Sequence, residues 1–294
     1  MTERTRNPFL AVDWGTTNRR VYRVVDGAVE ETQRDDRGIL AVGQGGFAAD
    51  VAEIRARMGD LPMLCAGMVG SNRGWIDVPY ADCPADLAAL ADKIVWVEPE
   101  RTGIVPGVAL RRPGRSDVMR GEEVQLLGAV AAGLVPDDAY LCQPGTHCKW
   151  ATVTGGAITH FATAMTGEVF ALLQKHSLLA TQMTDEVEAG PDFLRGVRDA
   201  ADDALLTRLF GVRADFVTGS RDGAGAASYV SGLLIGTDVR AQLDGKDLEV
   251  FLLADPQLGG LYAAAIDAVG GRPRLIDSQA AFVGGITSIW NRLS

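Results

Sequence analysis

Histidine and cysteine are scarce in this 294-residue chain, which has three histidines (His147, His160, His176) and four cysteines (Cys65, Cys83, Cys142, Cys148). No Cys-x-x-Cys pair and no His-Glu-x-x-His occurs, which argues against a structural zinc site and against a zinc-hydrolase helix. The thiols are expected to be free and buried, Cys148 being the one nearest a candidate site. No apolar run approaches the length of a membrane span, and Met1 to Asn7 is polar, without the apolar core of a secretory signal. A cytoplasmic enzyme is therefore the expectation. Basic residues are outnumbered, 28 against 38 acidic ones, and the net charge of −10 argues against nucleic acid and anionic membranes as partners. An anionic ligand would need a local basic pocket against that field. Low-complexity tracts are also missing. The 35 glycines lie in a chain that is 47% hydrophobic, which fits tight turns in a folded protein of two domains.

What is present is organised around Phe9-Leu-Ala-Val-Asp-Trp-Gly-Thr-Thr-Asn-Arg-Arg-Val-Tyr. The apolar run Phe9 to Val12 reads as a buried strand ending in Asp13. Gly15-Thr16-Thr17-Asn18 turns into a second strand, Arg19 to Val25, and Asp26-Gly27 is a two-residue hairpin signal before a third, Ala28 to Thr32. Gly15 lets a backbone approach closely, and Thr16, Thr17 and Asn18 add short donors, a combination suited to an anion. Asp13 is placed to reach a hydrated Mg²⁺. An ordinary hairpin, with Asp and Thr satisfying turn backbone, is the alternative.

A second copy of this pattern follows. Leu141-Cys-Gln-Pro-Gly-Thr-His-Cys-Lys-Trp repeats strand, Gly-Thr turn and strand, and Gly155-Gly156 stands where Asp26-Gly27 stood. Two such units half a chain apart imply two related domains, each offering a turn (Gly15 to Asn18; Gly145-Thr146) to a shared cleft. Pro136-Asp137-Asp138 separates them, giving domains 1–136 and 137–294, with the last helix free to pack back on the first.

Between the turns, Phe47, Val51, Ile54 and Met58 recur at helical spacing, predicting a helix over 47–58. Strands are expected over 61–69, 94–97 and 105–111, followed by a polar loop to Asp117. Gly70-Ser-Asn-Arg-Gly-Trp75 to Tyr80 has the look of a binding loop at a strand's carboxyl end. A helix begins close to Gly121, with Glu122 and Glu123 in its first turn. Further helices are expected near 166–179, 191–199, 202–210, 223–243, 258–269 and 278–293, and strands at 248–253 and 274–276.

Four segments in order resemble the 2-dehydro-3-deoxygalactonokinase family: Asp13-Trp-Gly-Thr-Thr-Asn-Arg-Arg, Ala66-Gly-Met-Val-Gly-Ser-Asn-Arg-Gly-Trp75, Val118-Met-Arg-Gly-Glu-Glu-Val-Gln-Leu-Leu-Gly-Ala129 and Pro144-Gly-Thr-His-Cys-Lys-Trp150. Thr166-Gly-Glu168 and Ser231-Gly-Leu-Leu-Ile-Gly236 extend the resemblance over nearly the whole chain. The resemblance implies an α/β fold of two duplicated ribonuclease-H-like, actin-like ATPase domains around a central cleft, with ATP and Mg²⁺. It implies phosphorylation of the 6-hydroxyl of 2-dehydro-3-deoxy-D-galactonate, a small-molecule sugar acid, with a homodimer as the candidate assembly. On it, Gly15, Thr16, Thr17 and Asn18 form the first phosphate turn, Gly145 and Thr146 the second, and Asp13 the metal partner. Glu122 stands where many related sugar kinases carry the catalytic Asp of a Gly-Asp pair. Asn72, Arg73, Trp75 and Arg120 are the sugar-acid candidates, because a carboxylate calls for a guanidinium, with Lys149 as an alternative charge. Ala254-Asp255-Pro256 departs from the glycine-rich turn that relatives hold against adenosine. A kinase of another sugar or sugar acid on the same fold, or an actin-type regulatory ATPase, are the rival readings.

Overall fold

The computed structural model describes residues 8–43, 45–202, 204–243 and 245–293; Met1 to Asn7, read above as a polar start, lie outside them. The first organising stretch folds as β1 (Phe9–Trp14), β2 (Arg19–Val25) and β3 (Ala28–Asp35), antiparallel neighbours. Asp26 and Gly27 both take positive φ (50° and 81°), the geometry that a tight turn matching strand twist demands. After α1 (Ile39–Val42) and α2 (Phe47–Met58) comes β4 (Met63–Gly67), parallel to β1. Then follow β5 (Ala81–Asp82), α3 (Leu87–Ala91), β6 (Val95–Glu98), β7 (Thr102–Ile104), β8 (Val108–Arg112), β9 (Arg115–Met119) and α4 (Glu122–Ala131). The first sheet runs β3-β2-β1-β4-β7-β6, and β5-β8-β9 make a small second one.

The repeat returns as β10 (Ala139–Gln143), β11 (Cys148–Thr154) and β12 (Ala157–Ala164). Its turn glycines Gly155 and Gly156 again have positive φ. Helices α5 (Thr166–His176), α6 (Pro191–Asp199), α7 (Leu205–Val217) and α8 (Ala226–Leu243) precede β13 (Glu249–Leu253), α9 (Pro256–Ala268), β14 (Arg272–Ile276) and α10 (Ser278–Trp290). This sheet runs β12-β11-β10-β13-β14, with β10, β13 and β14 parallel. Its order matches β3-β2-β1-β4-β7 strand for strand, so the sequence repeat is a repeat of topology.

The chain divides into two compact units, one of Met1–Ala139, Ala151–Phe161 and Asp277–Ser294, the other of Tyr140–Trp150 and Ala162–Ile276. In the first, Phe47, Val51, Ile54 and Met58 of α2 pack on Leu10 and Val12 of β1 and Met63 and Cys65 of β4. In that unit too, α10 crosses α4 at glycines. A Cβ on Gly128 would lie 2.0 Å from Ala281 O, and one on Gly285 2.1 Å from Val124 O. In the second unit, Trp150, Phe193, Val239, Val250, Leu252 and Tyr262 join one core.

Several boundaries differ from expectation, three of them for a reason the structure shows. The strand expected over 105–111 is interrupted at Pro106-Gly107, because proline offers no N–H to a ladder, and β7 and β8 lie either side. The expected polar loop after it is strand β9, paired back on β8 through a turn at Gly114 (φ 76°). Helix α7 runs past Gly211 to Val217, held by Leu209 and Val212 in a satellite core.

A buried ion network fixes the first turn. Arg19, 1% exposed, bonds Asp35 (2.7 Å) and Asp50 (2.9 Å), and Arg37 bonds Asp50 through both carboxylate oxygens. The Arg37 and Arg19 bonds hold the Asp50 carboxyl below its ordinary pKa. Removing one partner of a buried pair leaves the other charge unmet, at a cost of about 3–5 kcal/mol. Asp50→Ala should therefore lower the unfolding free energy in denaturant titration by roughly 3 kcal/mol. A change within about 0.5 kcal/mol, the range of an ordinary surface substitution, would show that Arg19 needs no counter-charge.

Candidate functional site

The first site is built where β1 and β4 end side by side. Asp13 pairs with Ala66 and Trp14 with Gly67 in parallel register. The strands converge so closely that a Cβ on Gly67 (φ 99°) would lie 2.8 Å from Trp14 O. Gly121 (φ 111°) brings the start of α4 against Gly67, where a Cβ would sit 3.1 Å from the Gly67 Cα. This puts Asp13, the Gly15 turn and the Arg120–Glu123 segment at one edge of the sheet.

The turn's peptide planes all face one way. The carbonyls of Gly15, Thr16 and Thr17 accept from the N–H groups of Ile39 (3.0 Å), Leu40 (3.2 Å) and Gly38 (3.0 Å) at the start of α1. A trans peptide points its N–H opposite to its C=O. The amides of Thr16, Thr17 and Asn18 are thereby turned away from α1, the arrangement of an anion-receiving nest. Gly38, unremarked in the sequence reading, is what permits this approach. A Cβ there would lie 2.4 Å from backbone atoms of Thr16 and Thr17.

Three carboxyls meet at this edge. Burial pushes Asp13 up to about 6; Arg20, 3.8 Å away, opposes the rise and the charge of Glu122 reinforces it. Glu122 Oε2 accepts the Arg120 N–H at 3.0 Å and stays half-buried. Glu123 is fully buried, and both its oxygens accept the Gly121 N–H (2.9 and 2.8 Å). Burial first, and then the charge of Glu122, pushes Glu123 up to about 8. Of the adjacent pair, Glu122 is the one with an open side.

The sugar-acid candidates separate. Arg120 is 7% exposed, its Nη2 donating to Val78 O at 2.7 Å. Asn72 and Arg73 are exposed on the loop after β4. Trp75 stacks on Phe47 (6.0 Å, 9° between planes) and packs against the core of the first unit. Among the described residues no group of three or more His, Cys, Asp or Glu side chains could hold a metal. Asp13 offers a carboxylate alone, the donor chemistry that suits Mg²⁺, which keeps most of its waters and takes one or two carboxylates beside phosphate oxygens.

In the second unit the Gly145-Thr146 turn is backed by the start of α5. Thr146 O accepts the Glu168 N–H at 2.9 Å, and His147 Nε2 lies 2.6 Å from Glu168 Oε2. A Cβ on Gly167 would be 2.4 Å from Gly145 O, so Gly167 plays here the part of Gly38. Gly145 and Gly167 open onto a cavity of 250 Å³ lined by Phe170, Leu234, Leu258 and Gln257, with Asp255 at its wall. Asp255 Oδ1 accepts from Gln257 and Leu258 N–H (both 3.0 Å), so the Ala254-Asp255-Pro256 turn is a capped helix start. Lys149 is buried and donates to Thr163 Oγ1 at 2.9 Å. Asp238 accepts from Trp150, Thr166 and Tyr262 at 3.0 Å, tying β11, α5 and α9 to α8.

Folding raises the Glu123 pKa from 4.5 to about 8, so the folded chain keeps a proton that the unfolded chain releases in that window. Its contribution to stability therefore falls as pH rises from 4.5 to 8. Glu123→Gln has no proton to lose. Its melting temperature relative to the parent should rise steadily from pH 5 to pH 8. A constant difference across that range would show that Glu123 is ionised in the fold.

Comparison with known proteins gives consistent relatives. The family model described as 2-keto-3-deoxy-galactonokinase matches residues 13–289. The 2-dehydro-3-deoxygalactonokinase of Escherichia coli (strain K12) is 34% identical over 286 residues, 96% of this chain and 97% of its own. A Rhizobium meliloti protein provisionally given the same name is 35% identical over 298 residues, 97% of each chain. A crystal structure from Sinorhizobium meliloti, also provisionally so named, superposes with a TM-score of 0.90 at 33% identity, covering 97% of this chain and 99% of that one. The activator of 2-hydroxyisocaproyl-CoA dehydratase from Clostridium difficile, at 10% identity and a TM-score of 0.52, is similar in fold alone. With two sheets of one strand order and a family match over nearly its full length, the chain belongs to the 2-keto-3-deoxy-galactonokinase family.

Proposed function

We propose that this chain transfers the terminal phosphoryl group of ATP to the 6-hydroxyl of 2-dehydro-3-deoxy-D-galactonate, releasing ADP. The observation that carries the reading is local. At one sheet edge, an amide-lined turn (Gly15 to Asn18), a half-open carboxylate (Glu122) and a buried guanidinium (Arg120) stand within one unit. Family membership supplies the reaction class; these residues supply its parts.

Phosphoryl transfer is mainly positioning and charge stabilisation along an in-line path. The outward amides of Thr16, Thr17 and Asn18 receive phosphate oxygens, as does the Gly145-Thr146 turn. Asp13 would hold a hydrated Mg²⁺, which neutralises charge on the phosphates when bound. Glu122, anchored by the Arg120 N–H, takes the proton of the substrate hydroxyl. Arg120 meets the acid group, with Asn72 and Arg73 on the loop above contributing to the sugar pocket. Trp75 shapes that loop through its stack on Phe47. Adenosine occupies the 250 Å³ cavity of the second unit, its base against Phe170, Leu234 and Leu258. Among the described residues no helix is long and apolar enough to cross a membrane. The cytoplasm, where ATP is made available, is the location this reading implies.

With Mg²⁺ and the sugar acid, purified protein should release ADP far faster than with ATP alone. Equal rates would remove the kinase reading and favour an ATPase without a second substrate. A positioned general base contributes about 10²–10⁴ in rate. Glu122→Gln should lose roughly that factor in kcat, while calorimetry still detects binding of ATP and of the sugar acid. A loss below about tenfold would exclude Glu122 as the base.

A further inference from the structure

Arg120 sits in a seat that two glycines make possible. Its guanidinium carbon lies 4.2 Å from the centre of the Tyr80 ring. A Cβ on Gly107 would come within 2.8 and 2.9 Å of Tyr80 ring atoms, and one on Gly70 within 3.0 Å of Arg120 Nη1. The absent Cβ atoms are thus the space that ring and guanidinium fill. Arg120 is 7% exposed, and its Nη2 is taken by Val78 O. Among the described residues, its buried Nε and Nη1 have no hydrogen-bond partner. These two atoms lie on opposite edges of the guanidinium plane, so donors remain free on both sides.

A desolvated cation with unmet donors is destabilising by itself. Packing alone would be served better here by an apolar side chain. An open donor of this kind calls for an acceptor on the edge it faces, and the strongest acceptor for a fixed, dry guanidinium is an oxyanion. We infer that Tyr80 holds Arg120 in place as the reader of the substrate's carboxylate, and that this pair restricts the site to anionic sugars. The inference rests on the kinase reading above and assigns, within it, what selects the substrate's charge. Tyr80 acts through Arg120 and is a positioning residue. Its ring face attracts the cation and keeps the long side chain from swinging away. A neutral sugar in the same place leaves the open donor that faces it without a charged acceptor, and sites of this kind discriminate strongly against such analogues.

The test compares parent, Tyr80→Phe, Tyr80→Leu, Arg120→Gln and the Tyr80→Leu/Arg120→Gln double variant. Each is assayed with ATP, with 2-dehydro-3-deoxygalactonate, and with the analogue whose carboxylate is a hydroxymethyl group. Arg120→Gln should raise KM for the acid by about 100-fold, as loss of a charged hydrogen bond does. Its KM for the neutral analogue and for ATP should stay within about twofold, because neither relies on this guanidinium. Tyr80→Leu should raise KM for the acid by about tenfold, and Tyr80→Phe, which keeps the ring, should restore it. The double variant should be no worse than Arg120→Gln, since the ring matters only through the guanidinium. Equal loss for acid and neutral sugars, or a Tyr80→Leu effect that adds in full to that of Arg120→Gln, would overturn the inference. Should the parent release ADP without regard to sugar, the kinase reading falls, and calorimetry with the sugar acid then decides this one separately. Binding by the parent and not by Arg120→Gln upholds it; equal binding, or none by the parent, overturns it. If Arg120→Gln fails to fold, Arg120→Lys replaces it: the planar donors are lost and the charge kept, so a raised KM with the acid still preferred upholds the reading, and an unchanged KM overturns it.

Discussion

A peptide plane has two ends, and at both Gly-Thr turns the carbonyl end is engaged by the helix that starts behind it. The carbonyls of Gly15, Thr16 and Thr17 are bound by the first amides of α1, and that of Thr146 by the second residue past the start of α5. Planarity then leaves the amide ends no choice of direction. Each helix must come close enough to touch backbone, which is why Gly38 and Gly167 stand where a Cβ would lie 2.4 Å from a carbonyl oxygen. The direction in which the amides face is thus set by what lies behind the turn, and the hydroxyls of Thr16 and Thr17 are additions to that face.

The same logic separates two adjacent glutamates. Successive residues on a helix diverge by about 100°, so Glu122 and Glu123 cannot share an environment. Glu123 turns inward to the Gly121 N–H and is raised to about 8 by burial, leaving it a neutral prop for a glycine held at φ 111°. Glu122 is left half-open beside Asp13, whose own rise to about 6 records in part the charge of that neighbour. A neutral inner acid adds no second negative charge at this edge. The division follows from where α4 begins, and Gly121 decides that.

The hairpins and their repetition were legible because Asp26-Gly27 and Gly155-Gly156 are turns that few other residues can make. The 47–58 helix was legible from spacing alone and falls on α2 (Phe47–Met58). What escaped was whatever depends on a neighbour distant in sequence. Helix α1 is four residues long and shows no period. Gly38 and Gly167 look like any other glycine until the backbone they touch is known. Asp238 lies inside α8, a helix buried almost all round, so no face pattern distinguishes its one carboxylate. Trp75 was legible as important, but a sequence does not say whether an aromatic in a glycine-rich loop faces a ligand or packs on a Phe47 far upstream.

The duplication is close in backbone and unequal in charge. Behind each turn a buried cation lies at the start of the next strand: Arg19, first in β2, bonded to Asp35 and Asp50, and Lys149, second in β11, bonded to Thr163. Lys149 is therefore the counterpart of a structural arginine, which accounts for its burial better than a place in a sugar pocket does. In front of each turn the copies diverge. Where β1 carries Asp13 one residue before its end, β10 ends in Gln143, a longer side chain without the charge. The copies thus differ in charge where strand meets turn: the first sets a carboxylate whose burial penalty is opposed by Arg20 and aggravated by Glu122, and the second sets a neutral amide there.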